Sequence, residues 1–499
     1  MKSTPGGLAD FLIGHPAARD TPVLYGVDDE LTLSALMAAA RVLAGRLGPV
    51  GGQPVACVVD EGVRAVTAMF ATWLAGGVYV PVNGRLTARE VAAHLAASRP
   101  AVVVAGPGTH VPDGFDTLRE REPGVWTAAC APDRGEPASF GPDAAIVIRT
   151  SGTTGASKPV VLTHEGVRDG IDTVIAKLRG GKAGGRAPMP NLIPSSQALW
   201  AGAWNLLFAF RVGAPAILMD RFEPVAYAAL VRRFGIRSTV LAPAMMAMLV
   251  EHPDVVDLGP LRLVRSVTAP LAPAQARAFH GKFGVDVLNS YGQTELGSEV
   301  AGWTAADVRA FGAAKLGAVG RAHPGVDIRI AADDGTPLPP GETGEIWIRS
   351  PFATGDAEGR VDAEGHLRTG DLGRLDADGF LWIEGRVSDM VNRGGLKIVP
   401  QEVEDVLRGH PEVADACVAG VPDARLGEVP VAWIRPRAGT TPDEAALAEY
   451  ARRELAGYKV PVAFRFVADF PRTEIGKVLR RELVAADPLT ERERERNAT

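Results

Sequence analysis

Residues 150 to 158 read Thr-Ser-Gly-Thr-Thr-Gly-Ala-Ser-Lys. Gly152 and Gly155 free the backbone to wrap closely round an anion. Five hydroxyls, from Thr150, Ser151, Thr153, Thr154 and Ser157, join the loop N–H groups as donors, and Lys158 adds a positive charge. That set suits the phosphates of a nucleotide. The G-x-x-x-x-G-K-[ST] spacing of a Walker loop is absent. The alternative is a polar linker of small residues, but an apolar strand-like segment (Ala144 to Ile148) precedes the run and a helical pattern (His164 to Leu178) follows it.

Four further runs place glycine and charge between apolar segments. Asn289-Ser290-Tyr291-Gly292-Gln293-Thr294-Glu295 offers a flat ring, a hydroxyl and a carboxylate hard enough for Mg²⁺; read alone, it is also an ordinary strand-to-helix loop. Arg368-Thr369-Gly370-Asp371 sets a carboxylate after a glycine turn, where it can accept hydrogen bonds from a ribose diol or be a plain surface turn. Arg386, in Gly385-Arg386-Val387-Ser388-Asp389, carries a permanently charged fork suited to ribose or phosphate, or to a surface salt bridge. Lys477 closes Pro471-Arg472-Thr473-Glu474-Ile475-Gly476-Lys477. A lysine after glycine is usually solvated, but on a mobile loop it can bring charge to a phosphate in a transition state.

These groups need a scaffold, and the chain is long enough to supply more than one domain. It has 499 residues, 46% of them hydrophobic and 22% charged, the balance of a globular protein. A net charge of −6 gives no reason to expect nucleic acid or an anionic membrane as partner. Cys57, Cys130 and Cys417 fit neither a disulfide framework nor a zinc site. With no targeting segment at residues 1–10, the expectation is a cytoplasmic protein without a membrane span. Its oligomeric state is open.

To about residue 310, helical and strand patterns alternate. Thr32 caps an amphipathic helix that Gly48 ends, and Val55 to Val59, Val78 to Val82, Ala101 to Ala105, Ala214 to Met219, Ser238 to Leu241 and Leu261 to Val267 read as mostly apolar strands. The uncharged stretch Ala198 to Phe210 reads as a buried helix beside a ligand, with Trp200 and Trp204 one turn apart. From about 317 the strands shorten and turns crowd, as in a barrel-like module. After Arg386 come a helix at Pro400 to Arg408, with Glu402, Glu404 and Asp405 in its first turns, strands at Ala414 to Ala419 and Val429 to Ile434, and a helix at Asp443 to Leu455. The expected fold is α/β: a large N-terminal domain (1–387) of two doubly wound sheets plus a barrel-like part (about 317–387), and a small mobile α+β C-terminal domain (388–499). The Glu/Arg tail carries no assigned role.

In this order, the five runs resemble the ANL superfamily of adenylate-forming enzymes: acyl-CoA synthetases, adenylation domains and luciferases. Gly76-Gly77-Val78-Tyr79-Val80-Pro81-Val82, Gly344-Glu345-Ile346-Trp347-Ile348-Arg349 and Gly394-Gly395-Leu396-Lys397-Ile398-Val399-Pro400 extend the likeness over nearly the whole chain. The resemblance implies a ligase that activates a carboxylic acid with ATP and Mg²⁺, releases pyrophosphate, and passes the acyl group to CoA or a separate carrier protein. It implies that Thr150, Ser151, Gly152, Thr153, Thr154, Gly155 and Lys158 hold phosphates. Tyr291 would stack on adenine against Thr268-Ala269-Pro270, within the Asn289-Ser290-Tyr291-Gly292 run. Thr294 would touch the α-phosphate, Glu295 would hold Mg²⁺, and Asp371 and Arg386 would grip the ribose. Ser388 would be the hinge, Lys477 the transition-state cation, and Gly394-Gly395 the lining of the thiol path.

Two departures from the family pattern concern the acid. Gln197 stands where many acyl-CoA synthetases have His, in Pro194-Ser195-Ser196-Gln197-Ala198-Leu199-Trp200, so Gln197 and Trp200 are expected at an unusual pocket. Ser266-Val267-Thr268-Ala269-Pro270 lacks the frequent Gly-Gly before Ala-Pro. The absence of an Asp between Pro190 and Asn205 argues against an ordinary α-amino acid. The alternatives are a standalone adenylation enzyme that loads a carrier or activates another oxyanion, and a nucleotide-binding regulator without catalysis. Intact Glu295 and Lys477 weigh against the last.

Overall fold

The computed structural model describes residues 7–26, 29–59, 61–131, 135–151, 157–179, 188–269, 271–312, 314–354, 359–472 and 478–490. Its largest sheet has seven strands, in the order Val125–Ala129, Thr117–Glu122, Val102–Ala105, Pro54–Val59, Val78–Asn83, Ala144–Ser151 and Ser157–Thr163. The five inner strands run parallel and each edge strand is antiparallel. Side chains alternate between two cores. Val55, Cys57 and Val59 join the core that includes the helices Leu33–Leu47 and Gly62–Leu74, while Ala56 and Val58 face Val91 and Leu95 of the helix Ala88–Ser98. A strand buried on both faces has no polar side, which is why its sequence reads as an unbroken apolar run. Thr32 caps Leu33–Leu47, its hydroxyl accepting from Ala35 N, and Gly48 ends the helix at φ 67°.

The second expected α/β sheet is divided. Asn191–Ile193, Ala216–Leu218, Pro22–Tyr25 and Glu30–Thr32 form one mixed sheet, and Ser238–Leu241, Leu263–Ser266 and Asp286–Asn289 form a parallel one. The Thr239 hydroxyl donates to Leu192 O (3.0 Å), tying the two together. A core containing Ile217, Tyr227, Leu241, Val264 and Phe279 fills the space around them.

The turn-rich region forms a four-stranded antiparallel sheet, Asp327–Ala331, Gly344–Arg349, Leu367–Leu375 and Leu381–Arg386. Beside it, Tyr291–Gly292, Glu299–Gly302 and Arg321–Ala322 make a small second sheet. The C-terminal domain is a five-stranded sheet in which Gly427–Pro436 pairs with Val413–Asp423 on one side and with Val391–Arg393 and the parallel strand Ala463–Phe466 on the other. The helices Pro400–Arg408 and Glu444–Glu454 cover it. No helix among the described residues is long and apolar enough to cross a membrane.

Candidate active site

A cleft of about 2860 Å³ is lined by both domains. The carboxyl ends of parallel strands open into it, the usual place for a ligand in an α/β sheet. Thr268 and Ala269 follow Leu263–Ser266, and Asn289 and Ser290 lie at the end of Asp286–Asn289.

The opening motif is a hairpin. Thr150 pairs with Lys158 and Ser151 with Ser157 across antiparallel strands. Gly152, Thr153, Thr154 and Gly155, between these strands in the sequence, lie outside the described residues, as do Pro270 and Lys477. Ile148, Arg149, Pro159 and Val160 beside the hairpin's ends line the cleft.

Thr268 has φ 74°. A β-branched residue is strained in that left-handed region, at a cost of about 1–3 kcal/mol. This is the position where the sequence lacks the expected glycine, so the geometry the turn demands is kept although the residue that suits it is not.

The centre of the site is Asp371, 5% exposed. Its Oδ2 accepts from Tyr291 Oη (2.6 Å) and Gln293 Nε2 (2.6 Å), and its Oδ1 forms an ion pair with Arg386 Nε (2.9 Å). Asp371 and Arg386 are register partners across adjacent antiparallel strands, so the sheet delivers them together. Burial and the Asp371 carboxylate push the Tyr291 phenol well above its ordinary pKa, leaving it a donor. Gln293 was in the motif without an assigned role; its side chain also donates to Thr369 O (3.2 Å).

Thr294 and Glu295 stand on the cleft wall in the short 3-10 turn Thr294–Leu296. Two clamps hold that turn. Thr354 donates to Glu295 O through its N (2.9 Å) and Oγ1 (3.1 Å), and Gly297, at φ 70°, passes so close to Phe352 that a Cβ would overlap its carbonyl. Gly292 is fixed by a similar approach, since a Cβ there would lie 2.6 Å from Ser298 O. The Glu295 carboxylate is partly exposed, with Arg360 at 4.0 Å.

Trp200, Trp204 and Phe208 project from the helix Trp200–Val212 into the cleft, while Leu206, Leu207 and Phe210 enter the core. Gln197 does not share that helix. It sits buried in the preceding turn, its Nε2 without a hydrogen-bond partner among the described residues, and is not among the cleft-lining residues.

The C-terminal domain presents Arg408, Asp415, Arg472, Val478 and Arg480 to the cleft. Gly394 and Gly395, at φ 60° and 91°, turn the Val391–Arg393 and Leu396–Ile398 hairpin and are not among the lining residues. Ser388 is exposed in the 3-10 turn Val387–Asp389 between the two domains' sheets, 3.2 Å from Asp389 Oδ1. Sequence reasoning missed two cleft features that adjoin these groups: His94, and the arginine–carboxylate network of the C-terminal domain. Isolated His, Arg and Asp residues give no local signal of their partners.

A family model described as AMP-binding enzyme matches residues 16–355, and one described as AMP-binding enzyme C-terminal domain matches 402–477. The chain is 31% identical to a sulfoacetate–CoA ligase of Cupriavidus necator, over 93% of this chain and 94% of that enzyme. It is 29% identical to a fatty acid–[acyl-carrier-protein] ligase of Streptomyces coeruleorubidus, over 93% of each. Among solved structures, ATP-bound MatB from Rhodopseudomonas palustris superposes with TM-score 0.83 at 27% identity, covering 96% of this chain and 98% of that one.

Proposed function

Because this chain belongs to the AMP-binding enzyme family, within the ANL adenylate-forming superfamily, we propose that the cleft built around Asp371 is where it activates its acid. The protein is an AMP-forming acid–thiol ligase: with ATP it converts a carboxylic acid to an acyl-adenylate, then passes the acyl group to a thiol. The proposal concerns which residues do this, and for what acid.

The observation that carries it is the prepaid order at Asp371. Tyr291, Gln293 and Arg386 orient a buried carboxylate on the cleft wall through contacts within the protein itself. Asp371 and Arg386 take the ribose, the Tyr291 ring the adenine beside Thr268 and Ala269, and the Thr150–Lys158 hairpin the outer phosphates. Thr294 lies against the α-phosphate. The hard, partly exposed carboxylate of Glu295 fits Mg²⁺, which when bound would neutralise phosphate charge. The acid's carboxylate oxygen attacks the α-phosphorus and the bond to pyrophosphate breaks. Both reactants are anionic, so Lys477 is assigned the charge that relieves their repulsion at the transition state. The acid's body rests on Trp200, Trp204 and Phe208, which suits a compact or flat acid, and CoA is the preferred acceptor.

Pyrophosphate release over a panel of acids of graded length and shape tests the reading. In the same assay Lys477→Ala lowers acid-dependent ATP–pyrophosphate exchange by about 10²–10³-fold, while a preformed acyl-adenylate is still transferred to the thiol. Equal loss of both half-reactions in a folded variant would remove Lys477 from the first step.

A further inference from the structure

Two buried carboxylates of the C-terminal domain lie in the cleft wall, with their oxygens engaged by arginines. Glu404, on the helix Pro400–Arg408, is 1% exposed, and Asp415, on the strand Val413–Asp423, is 7% exposed. Each holds an arginine that faces the cleft. Glu404 Oε1 accepts from Arg480 Nη2 (2.5 Å) and from Val418 N (2.9 Å). Asp415 Oδ2 accepts from Arg472 Nη2 (2.8 Å). Arg408 joins the halves, giving Nε to Asp415 Oδ1 (2.8 Å) and Nη2 to Glu404 Oε2 (3.3 Å).

The two outer arginines bracket Lys477 in the sequence, Arg472 five residues before it and Arg480 three after. The backbone closes at the same points: Arg472 and Val478 form an antiparallel bridge, and Leu479 N donates to Pro471 O (2.8 Å). Burying such charges costs several kcal/mol each, and apolar residues of similar volume would often hold a small domain together at least as well. What an ion-pair network does better is fix direction, because a planar guanidinium that donates to more than one partner admits few geometries; Arg480 gives Nη2 to Glu404 and Nε to Val418 O (3.3 Å). Against burial, which pushes it up, the Arg408 and Arg472 guanidiniums hold the Asp415 carboxyl below its usual range, so it stays charged at neutral pH.

We propose that Glu404 and Asp415 are positioning residues for adenylation: through Arg480 and Arg472 they fix both flanks of the Lys477 segment, and so set where its ammonium meets the phosphate. This rests on the assignment of Lys477 to the first half-reaction. Neither carboxylate touches substrate; each acts through its arginine.

The test uses the full chain with Asp415→Asn, Glu404→Gln and Lys477→Ala. Exchange kinetics with ATP and acid are read beside transfer from a preformed acyl-adenylate to the thiol. A misplaced catalytic group can cost about 10²-fold, so kcat for exchange is expected to fall by about 10–10²-fold in each carboxylate variant, with KM for ATP and the transfer rate near wild type. Intact transfer certifies a folded domain. If Glu404→Gln does not fold, Arg472→Lys, which keeps charge but loses the fork, is read in the same way. Asp415→Asn added to Lys477→Ala should cause no further loss. Unchanged exchange in the carboxylate variants, equal loss of both half-reactions, or an additive double variant overturns the proposal. If Lys477→Ala itself spares exchange, the reading of Lys477 fails and the proposal with it. If Lys477→Ala lowers exchange as expected and the carboxylate variants leave it unchanged, only the positioning role fails.

Discussion

His94 shows how much a single residue's chemistry depends on neighbours distant in sequence. It lies on Ala88–Ser98, lines the cleft, and has a buried Nδ1 without a hydrogen-bond partner among the described residues. Burial lowers its pKa to about 4, and the positive charge of Arg149 adds to the shift. At neutral pH it is therefore uncharged, facing the positive charge of Arg149. In the unfolded chain it protonates near its ordinary value of 6.5. As pH falls from 6.5 towards 4, the unfolded state binds a proton that the folded state refuses, and stability is lost over that window. The full effect is at most about 3 kcal/mol. His15, His164 and His323 are lowered as well, so the comparison has to be with a variant. His94→Gln should flatten part of the acid limb in urea unfolding measured from pH 7 to 4. Superimposable profiles would mean that His94 titrates in the folded protein as it does in the unfolded chain.

The helix Trp200–Val212 does two jobs with one apolar sequence. Its periodicity is weak because both faces are apolar, one for the core and one for the cleft, and only packing separates them. Gly202 lets the preceding turn lie on the helix, since a Cβ there would overlap Ser196 O. Trp204 and Phe208 stack at 5.3 Å, which stiffens the cleft wall below Trp200. Trp200→Ala should leave that stack in place and open space above it. A pocket change of this size alters discrimination by about 1–3 kcal/mol or more, roughly 10–200-fold in relative kcat/KM, in favour of longer or bulkier acids. An unchanged ranking across graded acids would place the specificity elsewhere, for example beside Thr268. Gln197, buried in the turn before the helix, belongs to the support of this wall in the observed structure, three residues from Trp200 but not on its face.

At the scale of the whole molecule, two ion pairs among the described residues join the domains. Arg435 Nη2 meets Glu251 Oε1 at 2.8 Å, and Lys397 Nζ meets Asp333 Oδ2 at 2.5 Å. The orientation they accompany turns Arg472, Val478 and Arg480 to the cleft and leaves Gly394 and Gly395 off its lining. We assign that orientation to adenylation, with Ser388 as the proposed pivot to the thiol-transfer state. Exposed pairs contribute about 0–1 kcal/mol, enough to tilt an equilibrium between two orientations by up to about fivefold. Glu251→Lys should therefore reduce exchange relative to transfer by about two- to fivefold at low salt, less at high salt, and adding Arg435→Glu should restore the ratio. A ratio indifferent to either substitution would show that this pair does not bias the rotation.

Local order was legible in the sequence because its causes are local. Thr32 and Gly48 mark the ends of their helix, and Ser238–Leu241 and Pro400–Arg408 have the expected bounds because apolar period, capping and proline act within a few residues. The ordered runs from Thr150 to Lys477 likewise pointed to the adenylate-forming family without a structure, because each is a short local pattern of glycine and charge. Tertiary structure alone decided which charges belong together. Glu404 reads as a solvated first-turn acid, yet it is buried, because Arg480 lies 76 residues away in sequence and 2.5 Å away in space. Asp371 gains Tyr291 and Gln293 across a similar span. The worth of a charge is set by its distance to others and by the water excluded around it, and neither quantity exists until the chain has folded.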